Sequence, residues 1–108
     1  MIKVKIVLDE EKILIERKYS IKKIWNVIDE AFASKNIRIE EKGLYAGTNH
    51  PHDFANIGLV CSELGSEDWF LYNLLEWKYY TNEYSDNSNE FYEEDLLLDT
   101  KFYKAGFR

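Results

Sequence analysis

The first residues of the chain alternate between apolar and polar side chains. In residues 2–8, IKVKIVL, apolar side chains recur at every second position, with lysines between them. A period of two with β-branched side chains is typical of a half-buried strand. The polar residues 9–12, DEEK, are interpreted as a turn, and residues 13–19, ILIERKY, as a return strand. The sequence therefore predicts an N-terminal β-hairpin.

The next segment has the spacing of an amphipathic helix. Apolar side chains recur every three or four residues from Ile21 to Phe32, and Ser20 is a favourable residue at the N-cap. Asn36 suits the left-handed backbone that commonly follows the last turn of a helix. These features predict a helix whose apolar side packs on the sheet.

Shorter periodic segments fill the middle of the chain. Residues 37–41 alternate again, residues 42–43 suit a turn, and residues 44–46 pair back as a second strand. Residues 47–52, GTNHPH, break the periodicity and are interpreted as a loop. Helical spacing returns over residues 53–65, where a glycine ends the pattern. We therefore expect two short strands followed by a second helix.

The last third of the chain predicts a mixture of elements. A short helix extends to about Leu74, a strand follows over Glu76–Thr81, and residues 82–89 have the composition of a loop. A last helix is predicted with three apolar residues on one face: Phe91, Leu98 and Phe102. Residues 1–108 are therefore expected to form a single α+β domain, in which a small antiparallel sheet packs with about three to four helices.

The composition narrows the class of protein. Hydrophobic residues make up 45% of the 108 residues and aromatic residues 16%, which is too apolar for a disordered tail. The single cysteine, Cys61, excludes an internal disulfide framework. No signal-peptide pattern opens the chain, and no apolar run approaches the ~20 residues that span a bilayer. We expect a cytoplasmic protein that does not engage a membrane.

Charge is distributed unevenly along the chain. The net charge of −6 argues against direct binding of nucleic acid, which requires a basic surface. Residues 66–99 carry ten acidic side chains and one lysine, whereas residues 1–47 carry ten bases and eight acids. This asymmetry predicts a basic protein partner for the last third, or a purely solubilising role for its carboxylates.

The acidic and aromatic stretch 66–99 gives the most specific functional hypothesis, which is mimicry of a phosphate backbone. Duplex DNA carries one charge per ~1.7 Å of its axis. On a helix that rises about 1.5 Å per residue, Glu90 to Asp99 would place five carboxylates over roughly 13 Å, where DNA places about eight charges. Such a surface would occupy the basic groove of a nucleic-acid-handling enzyme. The predicted partner-binding residues are Glu76, Tyr80, Glu83, Tyr84, Asp86, Glu90, Glu93, Glu94, Asp95 and Asp99.

One loop carries residues with metal-ligand character. His50, His52 and Asp53 would lie close together, and two imidazoles with a carboxylate suit zinc, with Cys61 as a fourth ligand. The pattern lacks the paired cysteines or spaced histidines of a zinc site, so exposed histidines in a loop explain it more simply. No metal or other cofactor is therefore predicted. The alternatives to a binding protein are a small metal-dependent enzyme that uses this loop and a purely structural domain.

No catalytic residue is predicted. Cys61 lies on the apolar stripe of the second predicted helix, where a free cysteine is typically a small buried hydrophobe. Glu93, Glu94 and Asp95 would need an apolar pocket around one carboxyl group for acid–base work, whereas acids near a helix start compensate the helix dipole. The sequence has no glycine-rich phosphate loop and no nucleophile elbow.

The segment DWFLYNLLEWKYY, followed by a predicted acidic helix, resembles small acidic bacterial proteins that are often carried on mobile elements. The resemblance covers most of the chain and includes no catalytic motif. It implies a context in which inhibitors of host defence, of the anti-restriction and anti-CRISPR types, and toxin-immunity proteins occur. Together with the charge pattern, it favours a non-catalytic acidic binding protein.

Overall fold

The strand formed by residues 2–8 lies at the centre of a five-stranded antiparallel sheet in the computed structural model, which describes residues 1–82 and 90–98. In chain order the elements are β1 (Ile2–Leu8), α1 (Glu10–Glu16), α2 (Ile21–Ala33), β2 (Arg38–Glu41), β3 (Leu44–Ala46), α3 (Asp53–Gly65), α4 (Asp68–Tyr72), β4 (Leu74–Thr81) and β5 (Tyr92–Asp95). A short helical turn at residues 96–98 follows β5. The order of the strands across the sheet is β2-β3-β1-β4-β5.

The apolar face of the sheet packs on the helices, and this arrangement confirms the predicted α+β class. Alternate side chains along β1 are buried, among them Val4 and Ile6. Ile28 and Phe32 from α2 and Phe70 from α4 join them in one continuous core. No helix in the described part of the chain is long and apolar enough to cross a membrane.

The predicted N-terminal hairpin is wrong, because residues 10–16 form α1 and not a return strand. The Asp9 side chain accepts a hydrogen bond from the Lys12 backbone N–H at 3.1 Å, and two glutamates occupy the first turn. Arg17 ends the helix in the left-handed conformation, at a φ of 56°. An N-cap followed by acids favours a helix start, so the segment read as a turn begins a helix. The partners of β1 in the sheet are β3 and β4.

The end of the described chain also differs from the prediction. Residues 92–95 form β5, which pairs with β4, where the sequence predicts a helix. Within the described residues 90–98, helical structure is limited to residues 96–98. Pairing with the long strand β4 outweighs the local helical preference of an acidic run. Phe102 of the predicted helix and residues 83–89 of the predicted loop lie outside the described residues.

The predictions for the middle of the chain are confirmed. The helices α2 and α3 begin and end close to the predicted residues, and Asn36 adopts the expected left-handed conformation, with a φ of 60°. Gly43, at a φ of 80°, forms the turn between β2 and β3. A Cβ at this glycine would lie 2.3 Å from the Ile6 carbonyl oxygen, so the turn requires glycine. The predicted short helix and strand of the last third correspond to α4 and β4.

A partly buried hydrogen bond connects α2 to the sheet. Tyr45 on β3 is fully buried, and its ring stacks on Phe32 with the two centroids 4.0 Å apart. Its hydroxyl donates to Asp29 Oδ1 at 2.6 Å. Burial, and then the Asp29 carboxylate, raise the pKa of Tyr45 well above its usual range. The hydroxyl therefore remains a donor at alkaline pH in the native protein.

Replacing Asp9 with Ala should lower the free energy of unfolding by about 1 kcal/mol, because α1 loses its N-cap acceptor. Asp9→Ser, which keeps an acceptor at the same position, should have a clearly smaller effect. Urea unfolding monitored by circular dichroism measures both. Equal destabilisation by Ala and Ser would contradict the assignment of Asp9 as a helix cap.

Replacing Tyr45 with Phe should lower the free energy of unfolding at neutral pH by roughly 1–2 kcal/mol, because the hydrogen bond to Asp29 is lost. In the unfolded chain a tyrosine ionises near pH 10, whereas native Tyr45 stays protonated, so its contribution to stability declines above about pH 10. The contribution of Tyr45 to the free energy of unfolding then falls by up to about 1.4 kcal/mol per pH unit. The Phe variant should lack this part of the alkaline decline. Urea unfolding between about pH 8 and pH 11 compares the two proteins. An equally steep alkaline decline in both would contradict the prediction.

Candidate functional site

The side of the sheet opposite the helices brings together several of the predicted partner-binding residues. The register of β4 and β5 places Tyr80 opposite Glu93 and Lys78 opposite Asp95, and Glu76 lies further along the same side of β4. We call the surface formed by these five residues the β4–β5 face. All of its members except the lysine belong to the predicted set.

Lysines of the same sheet pair with the carboxylates of the β4–β5 face. Lys5 Nζ lies 3.5 Å from Glu76 Oε2, and Lys78 Nζ lies 3.6 Å from Glu76 Oε1 and 3.7 Å from Glu93 Oε1. The strands β1, β4 and β5 direct three bases and three acids to this side of the sheet: Lys3, Lys5, Lys78, Glu76, Glu93 and Asp95. The face is therefore mixed in charge, whereas the sequence predicts a collectively anionic surface.

Pairing also shifts the proton affinities of this face. The Glu93 carboxylate raises the pKa of Lys78. Burial, followed by a hydrogen bond to Glu93, raises the pKa of Tyr80. Both shifts keep the lysine charged and the tyrosine neutral at physiological pH. Neither group is therefore tuned for proton transfer near pH 7.

The remaining predicted acids do not form a phosphate-like row in the described residues. Glu94 lies opposite Tyr79 in the register and therefore belongs to the helix side of the sheet. Asp95 Oδ1 accepts a hydrogen bond from the Leu98 backbone N–H at 2.9 Å and so begins the helical turn that follows. Successive side chains of a strand point to opposite faces, so the row of carboxylates expected on a helix is divided between two faces. Glu90 precedes the strand and is exposed. Four predicted residues lie outside the described residues: Glu83, Tyr84, Asp86 and Asp99.

The candidate metal-binding loop is a hydrogen-bonded turn that leads into α3. Asp53 is only 7% exposed, and its Oδ2 accepts a hydrogen bond from the His50 backbone N–H at 3.0 Å. The His52 backbone N–H donates to His50 Nδ1 at 3.1 Å. A Cβ at Gly47 would lie 2.4 Å from the Asp53 carboxylate, so the loop is closely packed there. Within residues 1–82 and 90–98, no group of three or more metal-ligating side chains is placed to hold an ion.

Cys61 packs against the apolar core from α3, but it is only partly buried, whereas the sequence predicts a buried side chain. It lies eight residues beyond Asp53 on the same helix, which is about 12 Å along the axis, and so it does not join the His50 loop. Burial raises the pKa of its thiol to about 12, while an interaction with the Trp77 indole acts in the opposite direction. No described residue accepts a hydrogen bond from the Trp77 indole N–H. The thiol is therefore protonated and weakly nucleophilic at neutral pH.

A groove that the sequence pattern does not reveal lies on the helical side of the molecule. Two adjoining cavities, of about 390 Å³ and about 300 Å³, share wall residues from both sides of the groove: Lys18, Tyr19 and Trp69. The larger cavity continues along α2 to Val27, and the smaller one continues to Tyr72. We call this surface the Tyr19–Trp69 groove.

The walls of the Tyr19–Trp69 groove are largely apolar and partly open to solvent. Tyr19 is 46% exposed and Val27 is 47% exposed, although both belong to residue types that favour burial. Trp69 is half-buried, and its indole N–H donates to Glu67 Oε2 at 3.1 Å. A signal for this surface is present in the sequence as the run RKYSIKK at residues 17–23, where four bases surround an aromatic residue next to a helix start.

The Cys61 thiol should react with an aromatic disulfide reagent at least about a hundredfold more slowly in the native protein than in the unfolded chain, because little thiolate is present at neutral pH. Absorbance of the released thiolate measures the rate, and the same protein in denaturant provides the reference. A native rate close to the unfolded rate would contradict the packing of Cys61 described above.

No protein-family model, no curated protein and no solved structure matches this chain. The resemblance to acidic proteins of mobile elements therefore stays a prediction, and the function is inferred from the surfaces of the molecule.

Proposed function

We propose that this protein is a non-catalytic binding protein whose acidic terminal strand engages a basic protein partner. One observation carries the proposal. The described segment from Glu90 to Leu98 contains four carboxylates and no base, and it exposes aromatic rings beside them. Carboxylates attract and orient a cationic surface, and exposed aromatic side chains are common anchors of protein interfaces.

The position of β5 supports this proposal. Among the described strands β5 lies at an edge of the sheet, so a partner reaches it without displacing another of these strands. Tyr92 is 61% exposed and Phe91 is 39% exposed. The lysines that pair with the β4–β5 face belong to β1 and β4, and β5 itself carries three carboxylates and no base.

Two forms of this function follow from the same electrostatics. The protein is an inhibitor that covers the basic cleft of a nucleic-acid-handling enzyme, or an immunity protein that covers a basic toxin. Residues 92–95 form a strand, so their carboxylates do not have the phosphate-like spacing expected on a helix. The inhibitor form of the proposal therefore rests on net charge alone. A cytoplasmic location, expected from the sequence, is part of the proposal.

The immobilised protein should retain a basic protein from a bacterial lysate at about 50 mM salt and release it by about 300 mM salt, because salt screens contacts between exposed charges. Mass spectrometry identifies the retained protein, and calorimetry with the purified pair measures the affinity. Glu90→Gln combined with Glu94→Gln should weaken the affinity roughly tenfold, and Tyr92→Ala should weaken it by a comparable factor.

The matched control combines Glu30→Gln with Glu63→Gln, which removes the same charge from exposed positions on α2 and α3. This control should bind like the unmodified protein. Retention of no basic protein, or an equal loss of affinity in the control, would refute the proposal. Release by a duplex oligonucleotide would identify the partner as one whose nucleic-acid cleft is covered.

A further inference from the structure

We propose that the Tyr19–Trp69 groove binds an acidic amphipathic segment of a partner protein. The apolar side chains of the segment fill the groove, and its carboxylates meet the lysines at the rim. This surface lies on the helical side of the molecule and has the opposite charge to the β5 edge, so the inference goes beyond the proposed function and does not rest on it.

The length of the groove suits two turns of a helix. Ser20, the N-cap of α2, and Val27 both line its wall and lie seven residues apart, which is about 10 Å along the helix axis. An amphipathic helix places anchor side chains at i, i+3 or i+4, and i+7, which spans the same length. Tyr19 and Trp69 supply aromatic surface opposite such anchors. A bound segment would therefore cover apolar walls that are now about half exposed.

The rim of the groove is cationic on the side of the start of α2, although the whole chain carries a net charge of −6, and Glu67 and Asp68 border the Trp69 side. Lys18 and Lys23 line the groove, and Arg17 and Lys22 are their neighbours in the chain. None of these four side chains forms an ion pair with another described residue, whereas lysines 3, 5 and 78 of the sheet are all paired. Unpaired bases beside an apolar groove complement a segment that is apolar on one side and acidic at its border.

The start of α2 departs from a rule that the other helices follow. The helices α1, α3 and α4 each carry an acidic side chain in the first turn, where the helix dipole is positive. The first turn of α2 carries no acid, and Lys22 and Lys23 occupy it instead. Positively charged side chains at this end of a helix, where the dipole is also positive, lower the stability of the helix. Proteins depart from such local preferences mainly at functional sites. The lysines in the first turn of α2, beside an open groove, are therefore expected to serve binding.

The lining of the groove limits the chemistry of the bound segment. Lys18 and Lys23 are the bases that line the groove, so the acidic residues of the partner lie beside these two lysines. The largely apolar walls disfavour a nucleic-acid backbone, which carries charge along its whole length. The occupant is therefore a peptide segment with localised acidic residues.

The test uses the full chain, labelled with ¹⁵N, and two synthetic helical peptides of about 14 residues. Both peptides carry Leu at i, i+3 and i+7, and the remaining exposed positions are Glu in one and Lys in the other. The protein has three tryptophans, so each indole N–H gives its own signal. The acidic peptide should shift the Trp69 signal in a saturable manner and leave that of the core residue Trp77 unchanged. The basic peptide should bind at least about tenfold more weakly.

A matched pair of variants separates the role of the rim from that of the helix start. Lys22→Glu and Lys23→Glu make the same change of charge in the first turn of α2, but only Lys23 lines the groove. Both should raise the melting temperature slightly, because each places an acid at the positive end of the helix dipole. Lys23→Glu should lower the affinity of the protein for the acidic peptide by about tenfold or more. Lys22→Glu should lower this affinity by less than about threefold.

Several results would overturn the inference while leaving the function proposed for β5 intact. These are equal affinity for the two peptides, an equal effect of the two lysine variants, or no movement of the Trp69 signal. A Trp69 signal that moves with protein concentration alone would assign the groove to a second copy of the chain. Tighter binding of a duplex oligonucleotide than of the acidic peptide, at the same signal, would assign it to nucleic acid.

Discussion

The alternation of side chains along the central strand β1 determines what both faces of the sheet carry. Burial of its apolar side against the helices supplies the stabilisation, at about 25 cal/mol per Å² of apolar surface. Lys3 and Lys5 are thereby held on the opposite side, where Glu40 and Glu76 pair with them at 3.2 Å and 3.5 Å. Exposed pairs of this kind contribute about 0–1 kcal/mol each, so they follow from the fold and do not drive it. Part of the charge asymmetry of the sequence therefore cancels in space.

Elements with a long periodic pattern could be predicted from the sequence, and two short elements could not. The stripe of α2 repeats over several turns, so a helix is the only regular structure that buries it. In α1 the apolar residues 13–15 resemble a strand, and the deciding signal is the cap at Asp9 with the two glutamates after it. The strand β5 is defined by its pairing with β4, and no local window of sequence contains that partner.

The residues of the candidate site could be predicted better than the contacts between them. Glu76, Tyr80 and Glu93 lie on one surface, but a sum of charges along the chain does not show which lysine meets which carboxylate. Lys5 and Glu76 are separated by more than half of the sequence, and only the pairing of β1 with β4 brings them together. The Tyr19–Trp69 groove escapes sequence analysis for the same reason, because its walls come from two distant segments. The bases of residues 17–23 are visible in the sequence, but nothing in either segment shows that Trp69 lies beside them.

The distribution of charged side chains gives this small protein two regions that differ in local charge. At physiological ionic strength an exposed charge is screened beyond about 8 Å, so a bound partner responds mainly to the charges around its own site. At the groove these include the bases of residues 17–23, and at the β5 edge they include the carboxylates of residues 90–95, of which Glu93 lies 3.7 Å from Lys78. The net charge of −6 therefore governs solubility and long-range approach, while the sign of each partner is set locally. An acidic protein can thus present a cationic binding groove, provided that the bases lining it are not used in internal ion pairs.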